Sequence, residues 1–284
     1  MRAHPILIVL ACCLLAACAS GGGSREPMVQ AFADENSTDG VVPLSQAIAT
    51  ALPDPASPIV MIYNHGTDWG GHFQDCDPRS MPSFLKRWSR KGLGGREVVV
   101  LYLCTQEVED RFVMGKARSQ ENEALLDRLI AAGVPPRDIF LLGHSGGAST
   151  SLLTAERAPT KFNSAIVSAP GYGFAWLETE GESYAWMPVE YDKWRRRLEN
   201  ADDMSALVFL YEGDIYAPPG DALFLGNKTN VEVVTVRDED GDGRLCRDEP
   251  EPHFYWWSFC FRTGQLEEVE AFVLDRLEHR AWLP

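Results

Sequence analysis

The sequence predicts an α/β fold, with a mostly parallel central sheet and helices on both of its faces. From residue 59 onward, short apolar runs alternate with amphipathic segments, and the runs have the length and branching of buried strands. Alternating strands and helices favour a parallel sheet covered on both sides. Right-handed crossovers then bring the loops that follow the strands to one edge of the sheet, where a site is expected.

The predicted elements follow one another with short connections. The predicted strands are the runs 59–63, 98–103, 139–142, 162–167, 206–211 and 231–236. The predicted helices have apolar residues on one face and lie at 83–91, at 118–132, after residue 145 and near the C-terminus. No β-hairpin is evident before residue 59, so a shorter form of the sheet is expected.

Composition limits the class of protein. A chain of 284 residues with 45% hydrophobic and 24% charged residues can form one large soluble domain, or at most two. The net charge of −15 argues against a polyanionic partner, so no nucleic acid is expected. No organic cofactor is expected either, and the oligomeric state stays open.

The N-terminus has the features of an export signal over residues 1–17. Arg2 supplies a positive charge, and the apolar run 5–15 is too short to span a bilayer as a stable helix. Residues 15–18, Leu-Ala-Ala-Cys, resemble a bacterial lipobox, which implies cleavage before Cys18 and lipidation of that cysteine. The alternative is an ordinary secretory signal cleaved nearby, and both alternatives export the protein.

A flexible tether is predicted over residues 18–40, because this stretch is polar and rich in Ser and Gly. The folded domain is then expected over residues 41–284. Ala19, rather than aspartate, follows Cys18. By analogy with Gram-negative lipoproteins, this residue favours the outer membrane, with the domain on its periplasmic or surface face.

The pattern Gly-x-Ser-x-Gly occurs at residues 143–147, between a predicted strand and a predicted helix. A serine hydroxyl is a weak nucleophile until a base removes its proton. A sharp turn between strand and helix exposes that hydroxyl, and glycines tolerate the strained backbone and the close contacts of such a turn. Ser145 is therefore the candidate nucleophile, and the N–H groups at the start of the helix face a developing oxyanion.

A base and an acid are needed beside that serine. The histidines after the serine motif are His253 and His279, and His279 lies among charged residues of the terminal helix. His253, between the last strand and that helix, is the candidate base. Asp214 follows a strand directly and is the preferred acid, with Glu212 and Asp221 as alternatives.

These residues, in this order, make the chain from residue 59 onward resemble the α/β-hydrolase fold family. The pair His65-Gly66 resembles the oxyanion loop of that family, which implies that the N–H groups of Thr67 and Gly146 bind the oxyanion. The resemblance further implies that His253 activates Ser145, that Asp214 orients His253, and that an ester is cleaved through an acyl-enzyme.

Residues 172–200 interrupt the alternation of strands and helices and are rich in aromatic side chains. They are predicted to form an insertion over the site. This insertion is either a lid that shapes a small-molecule or acyl ester substrate or an aromatic cluster that packs onto the sheet.

An acidic stretch at residues 238–249 fits the EF-hand calcium loop, with a glycine at the sharp turn. The predicted Ca²⁺ ligands are Asp238, Asp240, Asp242, the backbone carbonyl of Arg244, and Glu249. The alternative is an acidic surface turn, because a strand rather than a helix precedes the loop. Bound Ca²⁺ is predicted to order the loop that leads to His253.

The cysteines of the mature chain that are not predicted to carry lipid are Cys76, Cys104, Cys246 and Cys260. An even number of cysteines in an exported chain indicates disulfides. Several pairings are possible, and Cys76–Cys104 and Cys246–Cys260 are favoured because the members of each pair lie in neighbouring loops of the proposed fold.

Three functions are compatible with these residues. The first is a membrane-tethered, Ca²⁺-stabilised serine esterase. The second is a serine peptidase on the same scaffold. The third is a catalytically inactive lipoprotein that binds a ligand.

Overall fold

The structure is a computed structural model of the whole chain. It describes residues 26–33, 37–38, 40–66, 81–105, 114–171, 187–238, 245–248 and 251–279, and at 114 and 187–190 it describes the backbone alone. The predicted export signal and Cys18 lie outside these residues. Within the described part of the chain, no helix has the length and apolarity needed to cross a membrane.

An eight-stranded sheet forms the centre of the molecule, in the order β2-β1-β4-β3-β5-β6-β7-β8. Strands β3 to β8 run parallel to their neighbours, whereas β1 is antiparallel to both β2 and β4. The strands are β1 (Met28–Phe32), β2 (Val42–Pro43), β3 (Ile59–Asn64), β4 (Val98–Leu103), β5 (Ile139–His144), β6 (Ser164–Ser168), β7 (Ala206–Tyr211) and β8 (Val231–Val236).

Helices cover both faces of this sheet. They are α1 (Leu44–Ala51), α2 (Ser83–Lys91), α3 (Met114–Ala131), α4 (Gly146–Arg157), α5 (Met187–Glu199), α6 (Phe259–Gly264) and α7 (Leu266–His279). Helices α1, α3, α4 and α5 supply one apolar core, and α2, α6 and α7 supply the other. The predicted fold class is confirmed, because a mostly parallel sheet lies between layers of helices.

The central strands are apolar along their whole length because both of their faces are buried. In β3, Val60 and Ile62 point into one core, while Ile59, Met61 and Tyr63 point into the other. Every residue of this strand is buried. This is why strands β3 to β7 were recognisable as continuous apolar runs.

The expected shorter sheet is wrong, and so is part of the predicted tether. Residues 28–32 form β1, which pairs with β2 on one side and with β4 on the other. The folded domain therefore starts before residue 41. β1 was missed because it alternates buried and half-buried residues and is stabilised by a distant partner, with Val29 opposite Leu103.

Candidate active site

Ser145 lies in a strained turn between β5 and α4. Its backbone has φ 53° and ψ −123°, a conformation that residues other than glycine rarely adopt. The flanking glycines are sterically required: a Cβ on Gly143 would lie 2.3 Å from the Gly147 carbonyl oxygen, and a Cβ on Gly147 would lie 2.1 Å from the Asn64 carbonyl oxygen. The predicted tight turn is therefore present, with the serine half-buried at its tip.

Two further glycines leave space around the Ser145 side chain. A Cβ on Gly66 would lie 3.3 Å from Ser145 Cβ, and a Cβ on Gly171 would lie 3.4 Å from Ser145 Oγ. The backbone of Gly171 is attached to the start of α4, because its N–H donates to the Ser145 carbonyl and its own carbonyl accepts from Ser149 Oγ. The backbone of Gly171 thus lies close to the Ser145 hydroxyl.

His253 and Asp214 are hydrogen-bonded to each other at the same edge of the sheet. His253 Nδ1 lies 2.8 Å from Asp214 Oδ2 and 3.1 Å from Asp214 Oδ1, and both side chains are buried. Asp214 Oδ1 also accepts the N–H groups of Tyr216 and Ala217, at 2.8 and 3.0 Å. A carboxylate only accepts, so the ring proton lies on Nδ1 and leaves Nε2 as the basic nitrogen.

Neither alternative acid has this arrangement. Glu212 is exposed, and its Oε2 accepts the N–H of Asp238 at 2.9 Å. Asp221 lies at the end of the short 3₁₀ helix Pro219–Asp221, where its backbone carbonyl accepts the Tyr191 hydroxyl. The hydrogen bonds therefore favour Asp214 among the three acids considered from the sequence.

A second histidine, His144, holds the segment that carries His253. His144 Nε2 lies 2.7 Å from the backbone carbonyl oxygen of His253, so Nε2 carries the proton and donates it. The two rings pack with their centroids 4.7 Å apart. Burial, and then the nearby His253, hold the pKa of His144 well below its ordinary value, so the ring is neutral. Sequence reasoning missed this role, although the position of His144 next to Ser145 was a possible indication.

His144→Leu is expected to lower kcat for any substrate of this site by about 100-fold, because displacing a catalytic group by about 1 Å has that effect. His144→Gln is expected to stay within about tenfold of the natural protein, since its amide can donate to the same carbonyl. Steady-state kinetics on both variants measure the difference. Equal losses in the two variants, at unchanged melting temperature, would contradict a role for this hydrogen bond.

The His65-Gly66 loop is held by buried polar groups. The His65 ring contacts the Gly66 carbonyl, with Nδ1 2.6 Å from the oxygen. Burial, and then the charge of Arg118, lower the pKa of His65 to about 3, so this ring is also neutral and donates from Nδ1. Arg118 is 1% exposed and its Nη2 donates to the His65 carbonyl at 2.7 Å. Thr67, the predicted oxyanion donor, lies outside the described residues.

Gly146, the other predicted oxyanion donor, is the first residue of α4. Its N–H has no partner within the helix, because the first N–H groups of a helix lack an intrahelical acceptor. It lies directly after Ser145 and is half-buried. It is therefore placed at the positive end of the helix dipole, next to the candidate nucleophile.

The Cys246–Cys260 disulfide is present, as favoured from the sequence. It links the loop before His253 to helix α6, across a sequence separation of 14. Closing a loop of this size stabilises the folded state by about 3 kcal/mol in the chain-entropy model. Cys104 is also disulfide-bonded, and Cys76, its favoured partner, lies outside the described residues.

Of the predicted Ca²⁺ ligands, only Asp238 lies in the described part of the chain. It lies two residues after the end of β8, is half-buried, and its N–H donates to Glu212 Oε2. The cysteine within the loop, Cys246, is disulfide-bonded to Cys260. The remaining predicted ligands are Asp240, Asp242, Arg244 and Glu249, which lie outside the described residues.

The described half of the predicted insertion packs as a structural element. Trp194 of α5 is buried, stacks on Tyr191 at 6.5 Å and meets Phe224 edge-on at 6.3 Å. Leu198 is fully buried in the core on the α4 face. This half therefore packs against the core on the α4 face, and residues 172–186 lie outside the described part of the chain.

Comparison with known proteins identifies the fold. No protein-family model and no curated protein matches the sequence. Among solved structures, Est1E from Butyrivibrio proteoclasticus is 13% identical, with a TM-score of 0.55 over 90% of this chain and 100% of Est1E. DcsB, solved in complex with its substrate analogue, is 12% identical, with a TM-score of 0.54 over 79% of this chain and 92% of DcsB.

A longer protein gives a similar match. A putative dipeptidyl aminopeptidase IV from Bacteroides ovatus is 11% identical, with a TM-score of 0.56 over 89% of this chain. This chain spans only 36% of that protein. Identities this low establish the fold alone. The strand order and these likenesses together show that the chain has the α/β-hydrolase fold.

Proposed function

We propose that this protein is a serine hydrolase that cleaves carboxylic esters of small molecules through an acyl-enzyme. The observation that carries the proposal is the 2.8 Å hydrogen bond between Asp214 and His253 at the sheet edge where Ser145 occupies a strained turn. A buried, oriented histidine whose Nε2 is unprotonated is the base that a serine nucleophile needs. A catalytically inactive binding protein would not need this arrangement.

The reaction follows from the roles of these groups. His253 Nε2 removes the Ser145 proton as Oγ attacks the ester carbonyl carbon, and a tetrahedral oxyanion forms. The N–H groups of Gly146 and Thr67 are assigned to bind that oxygen. His253 then gives the proton to the alcohol oxygen as the carbon–oxygen bond breaks. Water, activated by the same nitrogen, releases the acid and restores Ser145.

The surrounding groups prepare this chemistry before the substrate arrives. Asp214 is held by two backbone N–H groups and His253 is held at its carbonyl by His144, so neither side chain must reorganise during the reaction. The His65-Gly66 loop, which lies close to Ser145, is held by Arg118. Such preorganisation supports catalysis rather than simple ligand binding.

A fluorophosphonate probe tests the proposal, because it forms a covalent bond only with an activated serine. Mass spectrometry is expected to locate one adduct on Ser145 of the folded protein and none after denaturation. His253→Ala is expected to lose the labelling, whereas His279→Ala, a variant of the exposed histidine in α7, is expected to keep it. Absence of labelling in the folded protein would refute an activated serine.

Ester and amide substrates separate the esterase from a serine peptidase on the same fold. The proposal expects turnover of aliphatic and aryl esters, with little turnover of matched anilides and peptides. Preferential turnover of the amides would establish the peptidase instead. The comparison uses the same acyl group in each pair, so that only the leaving group differs.

We further propose that Ca²⁺ binds the loop 238–249 and stabilises the segment that carries His253. Exhaustive chelation is expected to lower the melting temperature, and Ca²⁺ at about 100 times its dissociation constant restores about 2.7 kcal/mol. Asp238→Asn is expected to weaken this response, whereas Asp203→Asn, an exposed aspartate outside the loop, retains it. Unchanged melting temperature and unchanged ester hydrolysis after chelation would contradict the proposal.

Export and anchoring through a lipid on Cys18 complete the proposed function, with the outer membrane as the site of attachment. The lipobox-like residues 15–18 support this. Cell fractionation measures it: Cys18→Ser is expected to release the protein from the membrane fraction, and retention there would contradict a lipid anchor.

A further inference from the structure

Apolar side chains lie directly beside the proposed base. Phe254 follows His253 in the chain and is 45% exposed, and Ile215 follows Asp214 and is 47% exposed. Their neighbours Tyr255, Trp256 and Ala217 are buried in the core on the α2 and α7 face. Phe254 and Ile215 are therefore exposed within otherwise buried segments, and each is next in the chain to the proposed base or the proposed acid.

The ring of His253 is packed among uncharged rings. Its centroid lies 4.7 Å from that of His144, 4.9 Å from that of Tyr216 and 5.4 Å from that of Phe254. Phe254 in turn meets Trp257 with centroids 6.1 Å apart. A group that contacts these rings next to His253 therefore meets uncharged aromatic surface.

This apolar surface is connected to Ser145. The position of a Cβ on Gly171 would be 3.4 Å from Ser145 Oγ and 3.5 Å from the carbonyl oxygen of Tyr216. Gly171 therefore borders both the nucleophile and the backbone of Tyr216, and the ring of Tyr216 packs on His253. Ile215 and Tyr216, which follow Asp214 in the chain, and Phe254, which follows His253, are together named the apolar strip; the rings of Tyr216 and Phe254 pack on His253.

The chemistry of the proposed reaction says which part of an ester meets this strip. His253 must give its proton to the leaving oxygen, so that oxygen lies within about 3 Å of Nε2 when the bond breaks. The carbon atoms attached to that oxygen are then next to the rings that surround His253. This proton transfer positions only the alcohol side of the ester. It does not require the acyl group, whose carbonyl carbon is bonded to Ser145 Oγ, to lie next to these rings.

We propose that the apolar strip binds the alcohol part of the ester, and that this part is an apolar group. The proposal rests on the proposed esterase function and names its substrate class. Covering an exposed phenylalanine or isoleucine side chain with an apolar group is favourable, because it removes apolar surface from water. A charged or strongly hydrated alcohol would lose its hydration beside Phe254 without a new hydrogen bond.

Two acetate esters of similar length test the proposal: benzyl acetate, and an acetate whose alcohol is a short polyether. Because the acyl group is the same, the ratio of their kcat/KM values reports the alcohol side alone. The natural protein is expected to prefer benzyl acetate by at least about tenfold, which is the lower end of what a single methylene contributes in an apolar pocket.

Variants assign the preference to the strip. Phe254→Ser and, independently, Ile215→Ser are expected to lower the ratio towards one. Phe259→Ser is the matched control, because Phe259 is 59% exposed but lies in α6 with Arg262 over its ring. It is expected to leave both the ratio and the activity unchanged. The ratio of the two kcat/KM values is measured because a general disturbance of His253 lowers kcat/KM for both acetates equally.

The outcomes separate this inference from the function on which it depends. Hydrolysis of both acetates without a preference, or an unchanged ratio in Phe254→Ser and Ile215→Ser, would overturn the apolar alcohol site and leave the esterase intact. Hydrolysis of neither acetate, together with no hydrolysis of 4-nitrophenyl acetate, would refute the esterase and with it the inference.

Discussion

Ser145→Ala is expected to lower kcat for ester hydrolysis by about 10⁶-fold, the loss typical of removing the nucleophile from a serine-based triad. The remaining N–H groups and binding contacts cannot form the acyl-enzyme. The substitution keeps the Cβ and the backbone, so the melting temperature is expected to stay close to that of the natural protein. Ester kinetics and thermal unfolding measure the two quantities.

Ser145→Gly distinguishes the strain of the turn from its chemistry. At φ 53° the backbone of a residue with a Cβ is strained, whereas glycine adopts this angle without strain. This variant is therefore expected to be inactive yet more stable than Ser145→Ala, by about 1–3 kcal/mol. Ser89→Ala is the control, since Ser89 donates to a carbonyl within α2, away from the site. Activity of Ser145→Ala within about tenfold of the natural protein would refute the assigned nucleophile.

Asp214→Asn is expected to lower kcat by about 10⁴-fold, with a small effect on KM. The backbone N–H groups of Tyr216 and Ala217 hold the Oδ1 atom, so the new amide must keep its oxygen there and turn its NH₂ towards His253. His253 Nδ1 then has to accept a hydrogen bond, and its proton moves to Nε2. The ring loses the basic nitrogen that Ser145 needs.

Variants of the other acids test this assignment. Asp221→Asn and Glu212→Gln are expected to keep kcat close to that of the natural protein, because the hydrogen bond of His253 is to Asp214. A loss in either of them as large as that of Asp214→Asn would transfer the role of the acid to that residue. Unfolding by denaturant checks that the variants remain folded.

Much of the fold was predictable because its information is local. Strands β3 to β7 are buried on both faces, and a continuous apolar run records that environment directly. The turn at Ser145 was predictable for the same reason, since its glycines, its strand and its helix are adjacent in the sequence. The edge strand β1 was not, because its stability comes from pairing with β4, about 70 residues away.

The relations among distant loops explain what sequence reasoning missed. His144 donates to the carbonyl of His253, a residue 109 positions later, and no local pattern records that contact. The exposure of Phe254 beside the buried Trp256 is likewise a property of the packed segment. Both depend on how the 3₁₀ helix Pro252–Trp257 is placed against the end of β5.

Residue order and residue type alone were sufficient to derive the α/β class, the candidate nucleophile and a short list of acids and bases, because apolar burial and glycine-dependent turns are encoded over a few neighbouring residues. The hydrogen bond from His253 to Asp214, which supports Asp214 over Glu212 and Asp221, and the full extent of the sheet required the folded chain. So did the apolar strip beside His253. Each of these depends on hydrogen bonds and packing between residues that only the closed tertiary structure brings together.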